Sequence, residues 1–276
     1  MKKILVTGAG GYIGRHIVTS LLDMGAHVIA TDLYVNNIDS RATIVETDIF
    51  SGATDIYKEL DCPDILLHMA WKDGFIHNSD AHMEYLSKHY EFIKNMIEGG
   101  LKHLAVMGTM HEIGYHEGAI DENTPTNPIS MYGIAKDALR KSTQLLIKDK
   151  NLVFQWLRAY YIYGDDKRNN SIFAKIILAE EEEKEFFPFT TGKNKYDFIR
   201  VEDLAKQISA CVMQDEIGGI INCCSGAPMS LAEKVESFIK ENNFRIKLKY
   251  GAFPDREYDS PAVWGDNSKI KTILDK

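Results

Sequence analysis

The chain has no run approaching the roughly 18 consecutive apolar residues of a membrane span, although 45% of its 276 residues are hydrophobic. That apolar content is left for a core large enough for one domain, or for a domain with a smaller companion. Met1-Lys2-Lys3 leads straight into a strand-like stretch and lacks the blocks of a secretion signal, so a cytoplasmic location is expected. Cysteine is scarce: Cys62, Cys211, Cys223 and Cys224 form no C-x-x-C pair, and the adjacent two cannot easily bridge. Reduced structural thiols are expected, with neither disulfides nor a metal site. Lys and Arg are outnumbered, 32 against 40 acidic residues for a net charge of −8, and they are scattered. A nucleic-acid or other polyanionic partner is therefore not expected. There is no internal repeat or low-complexity linker, and the one charge run, 180–185, reads as the solvated end of a helix.

What is present is alternation. Apolar strand candidates at 64–69, 103–107 and 152–157 alternate with helical patterns at 80–99 and 131–148, which predicts an α/β fold with a parallel sheet covered by helices. After Leu157 the pattern becomes irregular, returns between Tyr196 and Cys224, and breaks up again. A small, discontinuous second lobe accounts for this. The expected division is 1–160 plus 195–225 for the sheet domain and 161–194 plus 226–276 for the second lobe.

The N-terminus reads as strand, glycine turn and helix: Lys3-Ile4-Leu5-Val6-Thr7, then Gly8-x-x-Gly11-x-x-Gly14, then an amphipathic stretch over 16–24. Glycines at such a turn let the backbone approach a pyrophosphate, and the helix start offers it N–H groups and partial positive charge. The candidate contacts are Gly8, Gly11, Tyr12, Ile13 and Gly14. The spacing departs from G-x-G-x-x-G, since Ile13 stands where the last glycine would fall. A second strand ends at Asp32, eighteen residues after Gly14. A carboxylate there can accept hydrogen bonds from both ribose hydroxyls and repels a 2′-phosphate, which favours NAD over NADP. Arg41 lies close enough in sequence to keep NADP possible. Further on, Asp48 can reach an adenine amino group while Ile49 covers the ring, or Asp48 can simply cap the helix that follows.

Tyr132 and Lys136, four apart in a helical stretch, stack a phenol and an ammonium on one face. A fixed positive charge eases ionisation of a phenol, so Tyr132 is expected to act as an acid or base nearer neutral pH than its usual pKa of about 10. Spacing alone is weak; the glycine turn gives it weight. The strand at 103–107 runs into Gly108-Thr109, which puts Thr109 at the sheet edge where it can meet Tyr132. Its hydroxyl can polarise a substrate carbonyl, or can be an ordinary strand-end cap. In the catalytic reading Tyr132 transfers the proton, Lys136 holds the ribose and lowers the phenol pKa, and a nicotinamide exchanges the hydride.

Thr7-Gly8-x-x-Gly11-x-x-Gly14, Asp32, Thr109 and Tyr132-x-x-x-Lys136 together resemble the extended short-chain dehydrogenase/reductase family, in its nucleotide-sugar epimerase, dehydratase and reductase branch. His68-Met69-Ala70, Glu122-x-x-Pro125-x-x-Pro128-x-Ser130, Asp197-Phe198-Ile199-x-Val201-x-Asp203 and Asn222-x-x-Ser225-Gly226 extend the likeness over nearly the whole chain. The resemblance implies a Rossmann-type doubly wound sheet with a small C-terminal substrate lobe. It also implies Met69 and Ala70 beside the cofactor, a nucleoside diphosphate sugar between the lobes, Arg256 on its diphosphate, and a homodimer paired through the helices at 80–99 and 131–148.

Three departures limit what is carried over. The family's 4,6-dehydratases have two acidic residues after the catalytic Thr, whereas Met110 and His111 stand here, so dehydration is not expected. Tyr161 replaces an Asn that touches substrate in the branch. His111 falls where epimerase-reductases place a proton-exchanging Cys; its imidazole can do that work near neutral pH, or can be wedged under the cofactor for structure. The leading expectation is a reductase of a 4-keto-6-deoxy nucleotide sugar, since the chain is short for an epimerase. A 4-epimerase with tightly held NAD and a dinucleotide sensor without turnover are the alternatives.

Overall fold

Lys3–Thr7, His27–Thr31, Ile65–His68 and His103–Thr109 are short runs rich in Ile, Leu, Val and Ala, and from the second residue of each onward every residue is buried. Such continuous burial belongs to parallel strands covered on both faces. The computed structural model describes residues 2–164, 171–254 and 259–276.

In chain order the elements begin β1 (Lys3–Thr7), α1 (Tyr12–Asp23), β2 (His27–Thr31), β3 (Thr43–Val45), α2 (Ile56–Glu59), β4 (Ile65–His68), α3 (Ala81–Gly99) and β5 (His103–Thr109). Then come β6 (Gly118–Ile120), α4 (Met131–Ile147), β7 (Val153–Ala159), β8 (Tyr161–Tyr163), α5 (Ile172–Glu181), β9 (Phe186–Pro188), β10 (Lys195–Tyr196) and β11 (Phe198–Arg200). The last are α6 (Val201–Met213), β12 (Gly219–Cys223), β13 (Met229–Ser230), α7 (Leu231–Glu241), β14 (Lys247–Lys249), β15 (Ala262–Gly265) and α8 (Ser268–Leu274).

Seven strands form one parallel sheet in the order β12-β7-β5-β4-β1-β2-β3. This is the Rossmann-type order. Its direction reverses between β1 and β4, and the crevice at the carboxyl ends there is where such sheets take ligands. Each face carries its own core. On one, Ile17, Val18 and Leu21 of α1 meet Leu204 and Ile208 of α6; on the other, Phe92, Ile93 and Met96 of α3 meet Leu139 of α4. The buried positions of α1, Gly14, Ile17, Val18 and Leu21, recur at helical spacing and make one apolar stripe.

A second sheet, β13-β10-β15-β6, stands beyond the carboxyl edge of the first. One tie to the large sheet is Asp197, fully buried, whose carboxylate accepts N–H bonds from Ser225 (2.8 Å), Gly226 (2.9 Å) and Gly265 (3.1 Å). A buried carboxylate needs such a full set of donors, and here they pin the end of β12 and the end of β15 to one point.

Two sequence boundaries need correction. Residues 118–120, counted with the sheet domain, pair with β15 in the second sheet. Helix α8, counted with the second lobe, buries Ile270 and Ile273 in the core with α1 and α6, because the apolar side of so short a helix is covered only there. Among the described residues the cysteines are free thiols, Cys62 exposed and the other three buried. No helix among the described residues is long and apolar enough to cross a membrane.

Candidate active site

A cleft of about 1840 Å³ opens along the carboxyl edge of the large sheet and continues to the second one. Gly8, Gly11, Tyr12, Ile13, Gly14, Asp32, Asp48, Ile49, Met69 and Ala70 line its dinucleotide end; Thr109, Met110, His111, Tyr132, Lys136 and Tyr161 line the other. Arg256 lies outside the described residues.

The glycine turn is tight for reasons its side chains reveal. Gly8 has φ +69°, and a Cβ on it would lie 2.7 Å from the Ala70 nitrogen; one on Gly14 would lie 2.1 Å from the Gly8 carbonyl oxygen. Only hydrogen fits at either place. Gly11 is the N-cap of α1, and no side chain caps that helix, so its start, bordering the cleft through Tyr12, Ile13 and Gly14, is left to an external acceptor. Asp32 accepts N–H bonds from Gly10 (2.9 Å) and Leu33 (2.7 Å), which hold its carboxylate at the strand end facing the cleft. Arg41 is engaged elsewhere, its Nη2 2.7 Å from Asp39 and 2.8 Å from Asp23. The main-chain cradle, the uncapped helix and the carboxylate fit NAD, and Arg41 is paired with Asp39 and Asp23 and not with Asp32. Asp48 is exposed and caps locally, accepting the Phe50 N–H at 2.9 Å, although it also lines the cleft.

Behind this end runs a neutral buried relay that sequence reasoning missed. The Thr7 hydroxyl accepts N–H bonds from Met69 (3.0 Å) and Ala70 (3.2 Å) and lies 2.9 Å from His68 Nδ1. Its single proton therefore goes to His68, whose Nε2 carries a hydrogen toward His89 Nδ1 at 2.9 Å. Burial pushes His68 down to about 3 and His89 well below its ordinary value, so both rings are neutral. His89 stacks on Trp71 (4.2 Å between centroids, 12°), and the Lys136 ammonium sits 3.8 Å over that indole while donating to the Met107 carbonyl at 2.7 Å. An aromatic face stabilises a cation, most where water is excluded.

Helix α4 brings Tyr132 and Lys136 to the cleft. Its N-cap, Ser130, accepts the Gly133 N–H, and the Tyr132 N–H is taken by the His77 carbonyl at 2.9 Å. The Thr109 hydroxyl lies near enough to the Tyr132 phenol to lower its pKa, and it is also a local cap, its oxygen accepting the His111 N–H at 3.3 Å.

The electrostatics correct two expectations. The Tyr132 phenol is not lowered by Lys136: burial raises it above the usual tyrosine value, the Thr109 hydrogen bond pulls it part of the way back, and the Glu112 charge raises it further. Lys136 is itself drawn down to about 7 by burial, with Glu112 opposing, and a half-protonated amine is a weak field source. His111 is pushed down to about 3 by burial and by the neighbouring His77, which favours the neutral imidazole at neutral pH. It packs 4.3 Å from His77 and 6.2 Å from Tyr132, a wall of the site. Tyr161 packs against Tyr196 with centroids 4.4 Å apart and the rings tilted by 38°, and burial raises its phenol too.

Residues 4–224 match the NAD dependent epimerase/dehydratase family. The chain belongs to that family. NAD dependence comes with it and agrees with the acidic strand end. A dTDP-6-deoxy-L-talose 4-dehydrogenase (NAD(+)) of Aggregatibacter actinomycetemcomitans is 46% identical over 271 residues, spanning 95% of this chain and 98% of that protein. A UDP-glucose 4-epimerase of Halalkalibacterium halodurans is 26% identical over 303 residues, 98% and 89% of the two chains. Among solved structures, the UDP-N-acetylglucosamine 4-epimerase of Methanobrevibacter ruminantium, in complex with UDP-N-acetylmuramic acid, superposes with a TM-score of 0.86 at 21% identity, covering 99% of this chain and 91% of the other. That likeness is one of fold. The extended short-chain dehydrogenase/reductase reading of the sequence, including its Rossmann-type sheet, stands on these relatives.

Proposed function

We propose that this enzyme interconverts a 4-keto-6-deoxy nucleotide sugar and its 4-hydroxy form, working in the reducing direction with Tyr132 as proton donor. The observation that carries the reading is the ground after Thr109. Met110 and His111 line the cleft there, His111 is neutral, and the next acid, Glu112, is fully buried and turned into the protein. No carboxylate follows Thr109 into the cleft to pull a proton from carbon, which elimination of water needs, whereas a Thr and a Tyr side by side in the cleft suffice for carbonyl reduction. The 46% relative, a 4-dehydrogenase by name, supports the same chemistry.

Gly8, Gly11, Gly14, Asp32, Met69, Ala70 and Lys136 hold the cofactor in this reading. When bound, NAD supplies or accepts the hydride. Thr109 orients the substrate oxygen, and Tyr132, protonated because burial keeps it so, gives that oxygen its proton. Lys136 presents its amine to the ribose. Met110 and Tyr161 border the sugar, and Arg256 is assigned its diphosphate. Cytoplasmic location and a homodimer belong to the proposal as well; Met83 on α3 with Ile134 and Leu145 on α4 are exposed, which supports pairing through these helices.

The test is spectroscopic. Mixing the enzyme with NADH and a 4-keto-6-deoxy nucleotide sugar should bleach the reduced-nicotinamide absorbance in proportion to sugar. A 4-epimerase gives no net change and purifies with NAD bound, and that outcome would replace this reading. The 4-epimerase relative keeps that second reading in view.

A further inference from the structure

Glu112 is a fully buried carboxylate to which the chemistry above gives no task. Its Oε1 accepts the Thr109 N–H at 2.8 Å and the Trp156 indole N–H at 2.8 Å. Its Oε2 lies 3.5 Å from Arg140 Nε and 3.5 Å from Arg158 Nη2. Both short bonds come from neutral donors and both ion pairs are long. The Nε atoms of Arg140 and Arg158 have no hydrogen-bond partner, and the close partner of Arg140 is Asp137, at 2.6 Å. The two guanidiniums therefore neutralise Glu112 only in part.

The charged and titratable groups around it come from every packed element: Tyr132, Lys136, Asp137 and Arg140 on α4, and Arg158 with the following Tyr160 from β7. The exposed Lys141 pairs with Asp137 at 2.7 Å and so belongs to the outer shell of this group.

We propose that Glu112 is a positioning residue of the proton-transfer site, fixing Thr109 through its main-chain N–H and placing a buried negative charge whose field acts on Lys136 and Tyr132. Thr109 needs such a hold, because its hydroxyl points at Tyr132 only while its backbone keeps the geometry of the turn, and the N–H bond to Glu112 closes that turn as a capping box. Lys136 needs a negative charge, because it is 2% exposed and has only a carbonyl and an indole face close by. Glu112 opposes the lowering of Lys136 and adds to the raising of Tyr132, so one carboxylate favours the protonated form of both groups. Those are the forms that reduction uses. The catalytic half of the proposal rests on the reductase reading; the electrostatic half does not.

Two variants and two readouts test it. The Lys136 ammonium lies 3.8 Å over Trp71, so indole fluorescence of the cofactor-free protein reports its titration as the component that vanishes in Lys136→Met. In the wild type that midpoint is expected near 7. Glu112→Gln, which removes the charge, should move it down by about one pH unit. Glu112→Asp keeps the charge and withdraws the carboxylate by one methylene, so its midpoint should stay where it is. In steady-state reduction, Glu112→Asp should lower kcat by about tenfold or more with KM unchanged, and Glu112→Gln should shift the alkaline limb of kcat downward with the fluorescence midpoint.

If Glu112 is merely structural, Glu112→Gln lowers rates at all pH values and moves neither midpoint nor limb, and that result overturns the proposal. If Glu112→Gln does not fold, Glu112→Asp decides alone: a moved midpoint or an undiminished kcat counts against it. If no nucleotide sugar is turned over by the wild type, the reductase reading fails while the titration still reads out.

Discussion

At the 8–14 end the cleft is shaped by the main chain, whereas at the Thr109 to Lys136 end it is lined by side chains from several elements in a buried setting. The glycine turn and Asp32 are set by steric limits within a single β-α-β unit: a Cβ on Gly14 has 2.1 Å to the nearest oxygen, and the Asp32 carboxylate is held by neighbouring N–H groups. The proton-transfer end depends on how far water is excluded. Burial moves Lys136 down to about 7 and His111 to about 3, and it raises Tyr132. One end tolerates no added volume; the other tolerates little change in charge.

The largest effect should come from breaking the first end by volume. Gly14→Val puts two methyl groups where one carbon already collides, so NAD binding measured by calorimetry should fall by at least about a hundredfold, with a stability loss of about 3 kcal/mol or more on denaturant unfolding. Tyr132→Phe breaks the second end by chemistry: kcat should fall by about a hundredfold or more while NAD affinity stays within a few-fold, because the phenol oxygen is lost and the volume kept. A variant that kept full kcat would remove Tyr132 from the reaction.

Lys136→Met sharpens the contrast, since it should abolish turnover and yet stabilise the fold by about 1–3 kcal/mol at neutral pH. The sign follows from the lowered pKa. Below about 7 the folded chain holds an ammonium in a dry place, and between 7 and the ordinary 10.5 the unfolded chain binds more protons, so wild-type stability rises with pH. The advantage of Lys136→Met should accordingly be greatest below pH 7 and fade toward 10.5, as read by denaturation at several pH values. The smallest effects lie at the ribose. Asp32→Ala should reduce the preference for NAD over NADP by about tenfold, and Arg41→Ala should leave it unchanged, because that guanidinium is already paired with Asp23 and Asp39.

Legibility differed between the two ends for the same reason. Gly8, Gly11, Gly14 and Asp32 lie within one β-α-β unit, so their joint purpose could be inferred from spacing. Tyr132, Lys136 and Thr109 could be picked by type and motif, and the structure brings them to one cleft. Their protonation could not be read, since it depends on burial and on Glu112, whose place against Trp156, Arg140 and Arg158 joins residues up to 46 apart in the chain. Trp71 and His89 went unnoticed because nothing in their local pattern marks an indole as the seat of a lysine. The pairing of 118–120 with β15 was equally invisible, as three residues carry no period to read.

By itself the sequence determined the parallel sheet and the dinucleotide turn, and it offered Asp32 for an unphosphorylated ribose and Thr109, Tyr132 and Lys136 as candidates for proton transfer, because each is a local matter of sterics, periodicity or spacing. Only the tertiary structure decided that Lys136 has its pKa drawn down to about 7 over an indole, that His111 packs against His77 with a lowered pKa, and that Glu112 faces inward to hold Thr109. Those outcomes depend on desolvation and on charges brought together from distant parts of the chain, and neither exists until the core has closed.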